Sequence, residues 1–248
     1  MDRLHLIMPM GGRGARFFRD GYVMPKPLIR LRDKPFFYWA AQSVLRDVPN
    51  ADLRFVVLRE HVDDFAIDRE ILSLYPQAEI TVIPEVLPGA VLTCMAGARE
   101  ITDGAPVLFN DCDHMFRCSA FADFCAAGDF SAPDGALLTF RSQEDKFSYL
   151  RYDESGGIVG TAEKQVVSND AICGAYYFKD AGVFLSASER YLTECRYEEF
   201  FVSGVYDCMA AKGQEIRCFD IDLHISFGTP EEYAAAVGDP RLHEVEQG

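Results

Sequence analysis

A glycine-rich loop with two arginines follows the first apolar segment of the chain. Residues 6–10 are apolar and run into Gly11-Gly12-Arg13-Gly14-Ala15-Arg16. Such a loop brings backbone N–H groups close to phosphate oxygens, and its guanidinium groups add positive charge. It is neither a Walker loop nor a dinucleotide fingerprint, whose third glycine would fall at Phe17. The loop indicates a different phosphate site or, alternatively, a glycine-rich turn with solvated arginines.

Two further segments carry side chains suited to phosphate chemistry. Lys26 lies between Pro25 and Pro27, and because proline restricts the backbone, its ammonium is presented at a defined place. The alternative is a surface lysine in a proline-rich loop. Asp111 and Asp113 follow the apolar segment 107–109, at a strand end where parallel sheets place ligands or where a carboxylate caps a turn.

The elements that must position these residues alternate in the first half of the chain. Strands are predicted at 4–8, 53–58, 79–83 and 106–110, and helices at 36–46, 62–75 and 91–101. This order predicts a mainly parallel sheet covered by helices. In the second half, strands are predicted at 135–140, 149–152, 158–163 and 171–178, and helices at 182–192, 199–212 and after Thr229. We expect an antiparallel addition to the sheet and one domain spanning 1–248.

Composition excludes several classes of partner. The chain has 248 residues, is 49% hydrophobic and carries a net charge of −15. An acidic total argues against nucleic acid and membrane surfaces, since such partners are bound through Lys and Arg. Residues 1–34, however, contain eight Lys or Arg and three Asp, an excess of five positive charges. A basic segment on an acidic body predicts a small anionic ligand.

Cysteine usage and hydropathy predict a cytoplasmic protein. The eight cysteines include no Cys-x-x-Cys pair, which favours reduced thiols over disulfides or zinc. The sequence has no signal-peptide pattern and no segment of membrane-spanning length.

Taken together, the motifs resemble the signature of sugar nucleotidyltransferases, also called NDP-sugar pyrophosphorylases. The resemblance includes the glycine loop with Pro25-Lys26-Pro27-Leu28, and it continues through Pro88-Gly89-Ala90, Asn110-Asp111-Cys112-Asp113, Glu163-Lys164, Cys173-Gly174-Ala175-Tyr176 and Gly228-Thr229-Pro230-Glu231. The second half is similar to a branch associated with capsule or surface-polysaccharide synthesis. The implied fold is a Rossmann-like, GT-A-type α/β three-layer sandwich with a mixed, mainly parallel sheet. Residues 1–115 would form its nucleotide-binding lobe and 116–248 its acceptor-binding lobe.

The resemblance also implies a reaction. An NMP group would pass from an NTP to a sugar 1-phosphate or another small phosphorylated metabolite, releasing pyrophosphate with Mg²⁺ as cofactor. Arg16 would neutralise the pyrophosphate, Lys26 would bridge the reacting phosphates, and Asp113 would hold the metal. The implied nucleotide-binding residues are Met10, Gly11, Gly12, Arg13, Gly14, Glu85, Gly89 and Asp111. The implied acceptor-binding residues are Glu163, Lys164 and Gly174.

Two positions depart from the family pattern. Ala15 replaces a common Ser or Thr, and Ser226 stands where many members have a second metal-binding aspartate. Two alternatives stay open, the first from the Asp-x-Asp pattern and the second from these departures. One is a GT-A-type glycosyltransferase that uses Asp111-Cys112-Asp113, and the other is a non-catalytic nucleotide-sugar-binding regulatory subunit. These residues do not decide the nucleotide base, the acceptor, or whether the protein is a monomer or a homo-oligomer.

Overall fold

Strands and helices alternate along residues 3–242, the part of the chain that the computed structural model describes. The strands are β1 (His5–Met10), β2 (Arg30–Leu31), β3 (Lys34–Pro35), β4 (Asp52–Leu58), β5 (Glu79–Ile83), β6 (Val107–Asn110), β7 (His114–Arg117), β8 (Gly135–Arg141), β9 (Ser148–Tyr152), β10 (Ile158–Glu163), β11 (Asp170–Phe178), β12 (Ile216–Asp220) and β13 (Leu223–Ser226). The helices are α1 (Ala15–Arg19), α2 (Phe36–Leu45), α3 (Arg59–Phe65), α4 (Ile67–Leu74), α5 (Ala90–Ala98), α6 (Ser119–Ala127), α7 (Ala181–Glu194), α8 (Val205–Ala211) and α9 (Pro230–Val237). Short 3-10 turns form at Lys26–Leu28 and Val202–Gly204.

A nine-stranded mixed sheet organises the molecule. Strands β6, β1, β4 and β5 are parallel neighbours. Strand β11 runs antiparallel to β6, and it joins β8 and the β9–β10 hairpin to the parallel half. The predicted α/β class with a mixed sheet and an antiparallel addition is confirmed, although β12 extends that addition as a parallel neighbour of β8.

Alternate residues of the central strands supply two separate cores, as a buried strand requires. On β1, Ile7 packs with helices α5, α7 and α8 on one face of the sheet, whereas Leu6 and Met8 pack with α2, α4 and α6 on the other. On β4, Val56 and Phe55 divide in the same way. The chain therefore forms three layers, helices on both faces of one sheet.

Two predicted helices differ from those observed. The segment predicted as one helix at 62–75 is broken at Ala66, whose φ of 52° ends α3 before α4 begins. The helix predicted at 199–212 is a 3-10 turn followed by the shorter α8. No helix within residues 3–242 combines the length and apolar character needed to cross a membrane. The single-domain prediction for 1–248 stays a prediction, since residues 1–2 and 243–248 lie outside the described range.

A third cluster of side chains joins the two ends of the described chain. Phe17 of α1 is 1% exposed and packs edge-on against Phe36 and Tyr233, with ring centroids 5.8 and 6.4 Å away. Phe36 in turn contacts Phe227, which follows β13. Strand β13 pairs with β7 in a small separate sheet. This packing holds the helix after the glycine loop against the segment that leads into α9.

Replacing Phe17 with alanine should therefore destabilise the protein strongly. We expect F17A to lower the free energy of unfolding by about 3 kcal/mol, through lost burial and a cavity. The adjacent Phe18 is 42% exposed, so the matched variant F18A should cost less than about 1 kcal/mol. Urea denaturation followed by circular dichroism measures both values. Equal losses for the two variants would show that the aromatic cluster does not anchor α1.

Candidate active site

Two adjoining cavities open where the parallel strands end. The first, of about 430 Å³, is bordered by the glycine loop, Lys26, the 86–90 segment and Asp113. The second, of about 250 Å³, extends toward the antiparallel half of the sheet. Ala90, Asp111 and Asp113 line both cavities. Two ligands, one in each cavity, would therefore meet at the two aspartates.

The glycines of the first loop are required by close approach as well as by conformation. Gly14 has a φ of 68°, and a Cβ atom added there would lie 2.7 Å from the Cβ of Lys26. A Cβ atom on Gly11 would lie 2.9 Å from the Thr93 side chain. The loop thus packs directly on the Lys26 side chain and on α5. Its backbone also borders the first cavity, where a ligand can approach it closely.

An ion pair between Lys26 and Asp113 lies at the junction of the cavities. The Lys26 Nζ donates to Asp113 Oδ2 at 2.8 Å, and the two side chains are 25% and 26% exposed. Burial disfavours both charges, but their mutual attraction outweighs it, so the pKa of Lys26 is raised and that of Asp113 is lowered. Burial, reinforced by the charge of Asp113, raises the pKa of Asp111 to about 7. The junction of the cavities therefore holds a positive charge on Lys26 beside a negative charge on Asp113.

The two aspartates suit a magnesium ion only in part. Their carboxylates are hard oxygen donors. Burial and, after it, the charge of Asp113 raise the pKa of Asp111, and a bound cation would offset both effects. Within residues 3–242, however, no group of three His, Cys, Asp or Glu side chains is arranged to hold a metal ion. Mg²⁺ commonly takes one or two carboxylates and completes its shell with water and substrate phosphates. Asp111 and Asp113 fit Mg²⁺ if water and substrate phosphates supply its other ligands.

The second cavity contains two of the predicted acceptor-binding residues. Glu163 accepts hydrogen bonds from the hydroxyls of Ser148 and Ser203, the latter at 3.1 Å. Gly174 has a φ of 93°, and its carbonyl accepts from the Asp111 N–H at 2.9 Å. A Cβ atom on Gly174 would lie 2.8 Å from Asp111 Oδ2. Gly174 therefore fixes Asp111 in place from the side of the second cavity.

Most of the predicted site residues line one of the cavities, but three do not. Arg13 makes a two-point ion pair with Glu60 at 2.8 and 2.9 Å. Glu85 is exposed on the surface, and the Lys164 ammonium lies over the Phe201 ring, 5.1 Å from its centroid. None of the three belongs to either cavity wall.

The remaining predicted residues divide between the two cavities, and their roles stay predictions. Met10, Gly11, Gly12, Gly14, Lys26 and Gly89 border the first cavity. Arg16, predicted to meet the pyrophosphate, borders the second cavity instead. Its guanidinium is exposed and makes no ion pair with another residue of the range 3–242. Arg16 can therefore reach an anion at the junction from the side of the second cavity.

The structure adds residues that no motif marked as functional. Glu232 of α9 accepts hydrogen bonds from the Ser226 hydroxyl at 2.8 Å and from the Gly228 N–H at 3.1 Å. Lys146 reaches Glu232 from the loop after β8. His114 and His224 also border the second cavity, and burial lowers their pKa values to about 4 and about 3. Of these residues, only Glu232 has a sequence signal, since it directly follows the Gly228-Thr229-Pro230-Glu231 element.

Three solved structures resemble this chain over nearly its whole length. A nucleoside-diphosphate-sugar pyrophosphorylase from Vibrio cholerae RC9 superposes with a TM-score of 0.80 at 21% identity, over 94% of this chain and 100% of that one. The chain has the fold of this transferase. A protein assigned as a glucose-1-phosphate thymidylyltransferase from Bacillus anthracis, in complex with a sucrose, gives 0.74 at 16% identity over 95% and 96%. The inositol-1-phosphate CTP transferase from T. maritima gives 0.75 at 17% identity over 99% and 95%.

Sequence comparison adds nothing to this structural likeness. No protein-family model matches the sequence, and no curated protein matches it either. At identities of 16–21% the structural likeness establishes the fold, and any statement about activity depends on the site itself.

Gly228 offers a direct test of the junction. A Cβ atom there would lie 2.5 Å from Asp113 Oδ2, the oxygen that binds Lys26. We expect G228A to displace that carboxylate and, if a Mg²⁺–nucleoside triphosphate binds at the junction, to weaken that binding at least tenfold, about 1.4 kcal/mol. Isothermal titration calorimetry with the four common triphosphates measures this.

The matched control is Gly238, which ends α9. A Cβ atom there would meet its nearest atom at 3.9 Å, an ordinary contact. We expect G238A to bind the nucleotide as the original protein does. If G228A binds equally well, Asp113 is not held in place by the close approach of Gly228.

Proposed function

We propose that the protein is a nucleotidyltransferase. It transfers an NMP group from an NTP to a sugar 1-phosphate or another small phosphorylated metabolite, and it releases pyrophosphate. The observation that carries this proposal is the meeting of two cavities at Lys26, Asp111 and Asp113. One cavity has the glycine loop suited to a triphosphate, and the other offers a place for a second substrate.

For this transfer, the protein has mainly to position the two substrates and to neutralise the charge on their phosphates. An oxygen of the acceptor phosphate attacks the α-phosphorus of the NTP, and the bond from that phosphorus to the β-phosphate oxygen breaks, so pyrophosphate leaves. Lys26, at the junction, neutralises charge on the α-phosphate and on the attacking phosphate. Arg16 supports the same negative charge from the acceptor side. The glycine loop offers backbone N–H groups to the remaining phosphates.

Asp113, with Asp111 beside it, is the proposed Mg²⁺ site. When bound, the ion would supply positive charge to phosphate oxygens at the junction. Neutralisation by a cation also favours the ionised form of Asp111, whose pKa of about 7 reflects burial and the neighbouring Asp113.

The class of acceptor is proposed more narrowly from two observations. The second cavity is bordered by Glu163, Ser148 and Tyr176, side chains that hydrogen-bond to hydroxyl groups. The structural neighbours are named for a nucleotide sugar, for glucose 1-phosphate and for inositol 1-phosphate. The sequence resemblance of the second half to a branch associated with capsule or surface-polysaccharide synthesis leads us to propose that the product is an activated precursor for surface polysaccharides. Cysteine usage leads us to propose that it is made in the cytoplasm.

Pyrophosphate release tests the reaction. The protein is incubated with Mg²⁺, each common NTP and a panel of sugar and polyol phosphates, and pyrophosphate is measured by a coupled assay. We expect release with one NTP and one class of acceptor. Release of a free NDP from an NDP-sugar would instead identify a glycosyltransferase, and binding without turnover would identify a regulatory subunit.

Removing either partner of the junction ion pair should abolish most activity. We expect K26M and D113N each to lower kcat/KM at least 100-fold, about 2.7 kcal/mol, since charge stabilisation of the transition state is lost. The control K212M alters an exposed lysine at the end of α8 and should retain full activity. Circular dichroism checks that the variants are folded. Normal turnover by both site variants would contradict the proposed roles.

Metal removal gives an independent test. Treatment with EDTA should abolish pyrophosphate release, and added Mg²⁺ should restore it. In a D113N protein with residual activity, the Mg²⁺ concentration for half-maximal rate should rise at least tenfold, because a charged oxygen ligand is lost. Full activity in excess EDTA would rule out the proposed metal dependence.

A further inference from the structure

The second cavity has a basic side chain that the sequence did not mark. Arg16 and Lys146 are the Lys or Arg residues that border it within residues 3–242. Lys164, the residue implied for the acceptor, instead has its ammonium over Phe201. Lys146 lies in the loop that joins β8 to β9, on the antiparallel half of the sheet.

Two carboxylates hold the Lys146 ammonium in place. Its Nζ is 2.7 Å from Glu232 Oε1 and 2.9 Å from Glu144 Oε2. An ammonium has three N–H donors, and these contacts engage two of them. The side chain is 41% exposed. Its Nζ also lies 4.8 Å from the centroid of the Phe147 ring, and both residues border the second cavity. A ligand in that cavity can therefore approach the ammonium beside the ring.

Glu232 is itself fixed, which makes this arrangement rigid on one side. Its Oε2 accepts from the Ser226 hydroxyl and from the Gly228 N–H, and the side chain is only 17% exposed. Both carboxylates lie next to Gly228. A Cβ atom added there would be 3.5 Å from Glu232 Oε2 and 2.5 Å from Asp113 Oδ2. Glu232 therefore connects Lys146 to the neighbourhood of the reaction centre.

The charge balance decides which ligand group suits this place. Lys146 with Glu144 and Glu232 carries one net negative charge, which disfavours a phosphate. A hydroxyl group is suitable, because it donates to a carboxylate and accepts from an ammonium at the same time. The phosphate of the acceptor is better placed at the junction, near Lys26 and Arg16.

We propose that Lys146 and Glu232 bind a hydroxyl group of the acceptor and so determine its specificity. This inference rests on the proposed nucleotidyltransferase function and deepens it. The pair selects phosphates of sugars or polyols over phosphates of simple alkyl chains. Lys146, rather than Lys164, is the lysine that recognises the body of the acceptor.

Steady-state kinetics of K146M test the inference. We expect the KM for the acceptor to rise at least tenfold, since a charge-assisted hydrogen bond is lost, while the KM for the NTP changes less than twofold. The control is K179M, which alters another half-exposed lysine beside a carboxylate, Asp134, outside both cavities. It should change neither constant. A rise in both constants for K146M, or a larger acceptor effect for K164M, would overturn the inference.

Deoxy acceptors distinguish recognition from a structural effect. With the unaltered protein, one monodeoxy analogue of the accepted sugar phosphate should lose at least tenfold in kcat/KM. With K146M the same analogue should lose less than threefold, because the partner of that hydroxyl is already absent. Equal losses in the two proteins would overturn the inference.

Direct binding separates this inference from the function on which it rests. If the unaltered protein releases no pyrophosphate with any acceptor, the proposed function fails. Calorimetric titration with glucose 1-phosphate and inositol 1-phosphate then tests the pair alone. Binding at least tenfold weaker in K146M than in K179M supports the hydroxyl contact, and equal affinity, or no binding of either probe, overturns it.

Discussion

The site depends on one ion pair that joins distant parts of the chain. Lys26 and Asp113 are 87 residues apart in sequence, and their charged atoms are 2.8 Å apart. Three close approaches hold them there. Because Gly14 has no side chain, the aliphatic part of Lys26 packs against it. In the same way, the Asp113 carboxylate packs against Gly228 and the Asp111 carboxylate against Gly174. A side chain at any of these glycines would enter space that the charged groups now occupy.

The fold places this pair where two differently built halves of the sheet meet. The parallel strands β1, β5 and β6 lead to the first cavity, and β11 with its antiparallel neighbours supports the second. The aromatic cluster around Phe17 ties the helix after the glycine loop to the segment entering α9. Residues near the start and the end of the described chain therefore border the same site.

Local patterns were sufficient to predict much of this arrangement. The strand before the glycine loop, the restricted Lys26 and the aspartates after β6 depend on residues adjacent in sequence, and the structure brings them together. Such features follow from glycine, proline and the apolar strand itself. The break at Ala66 was missed because the position carries neither glycine nor proline.

The partners of the basic side chains near the site depend on long-range packing, which local sequence patterns do not reveal. Arg13 belongs to the same loop as Gly14, yet its guanidinium binds Glu60, 47 residues away. Lys164 follows Glu163 directly, but its backbone φ of 52° turns it toward Phe201. Lys146 has no local signal at all. A basic residue in a motif therefore predicts a charge near the site, whereas its partner depends on the tertiary fold.

In the proposed reaction, the acceptor phosphate becomes bonded to the α-phosphorus of the nucleotide. Phosphorus-31 NMR of the reaction, with an acceptor whose phosphate oxygens are labelled with oxygen-18, tests this bond directly. We expect a new pyrophosphate linkage with two coupled phosphorus signals, the label retained on the acceptor-derived phosphorus and in the bridge, together with unlabelled inorganic pyrophosphate. Formation of NDP and inorganic phosphate, or label in the released pyrophosphate, would contradict the account.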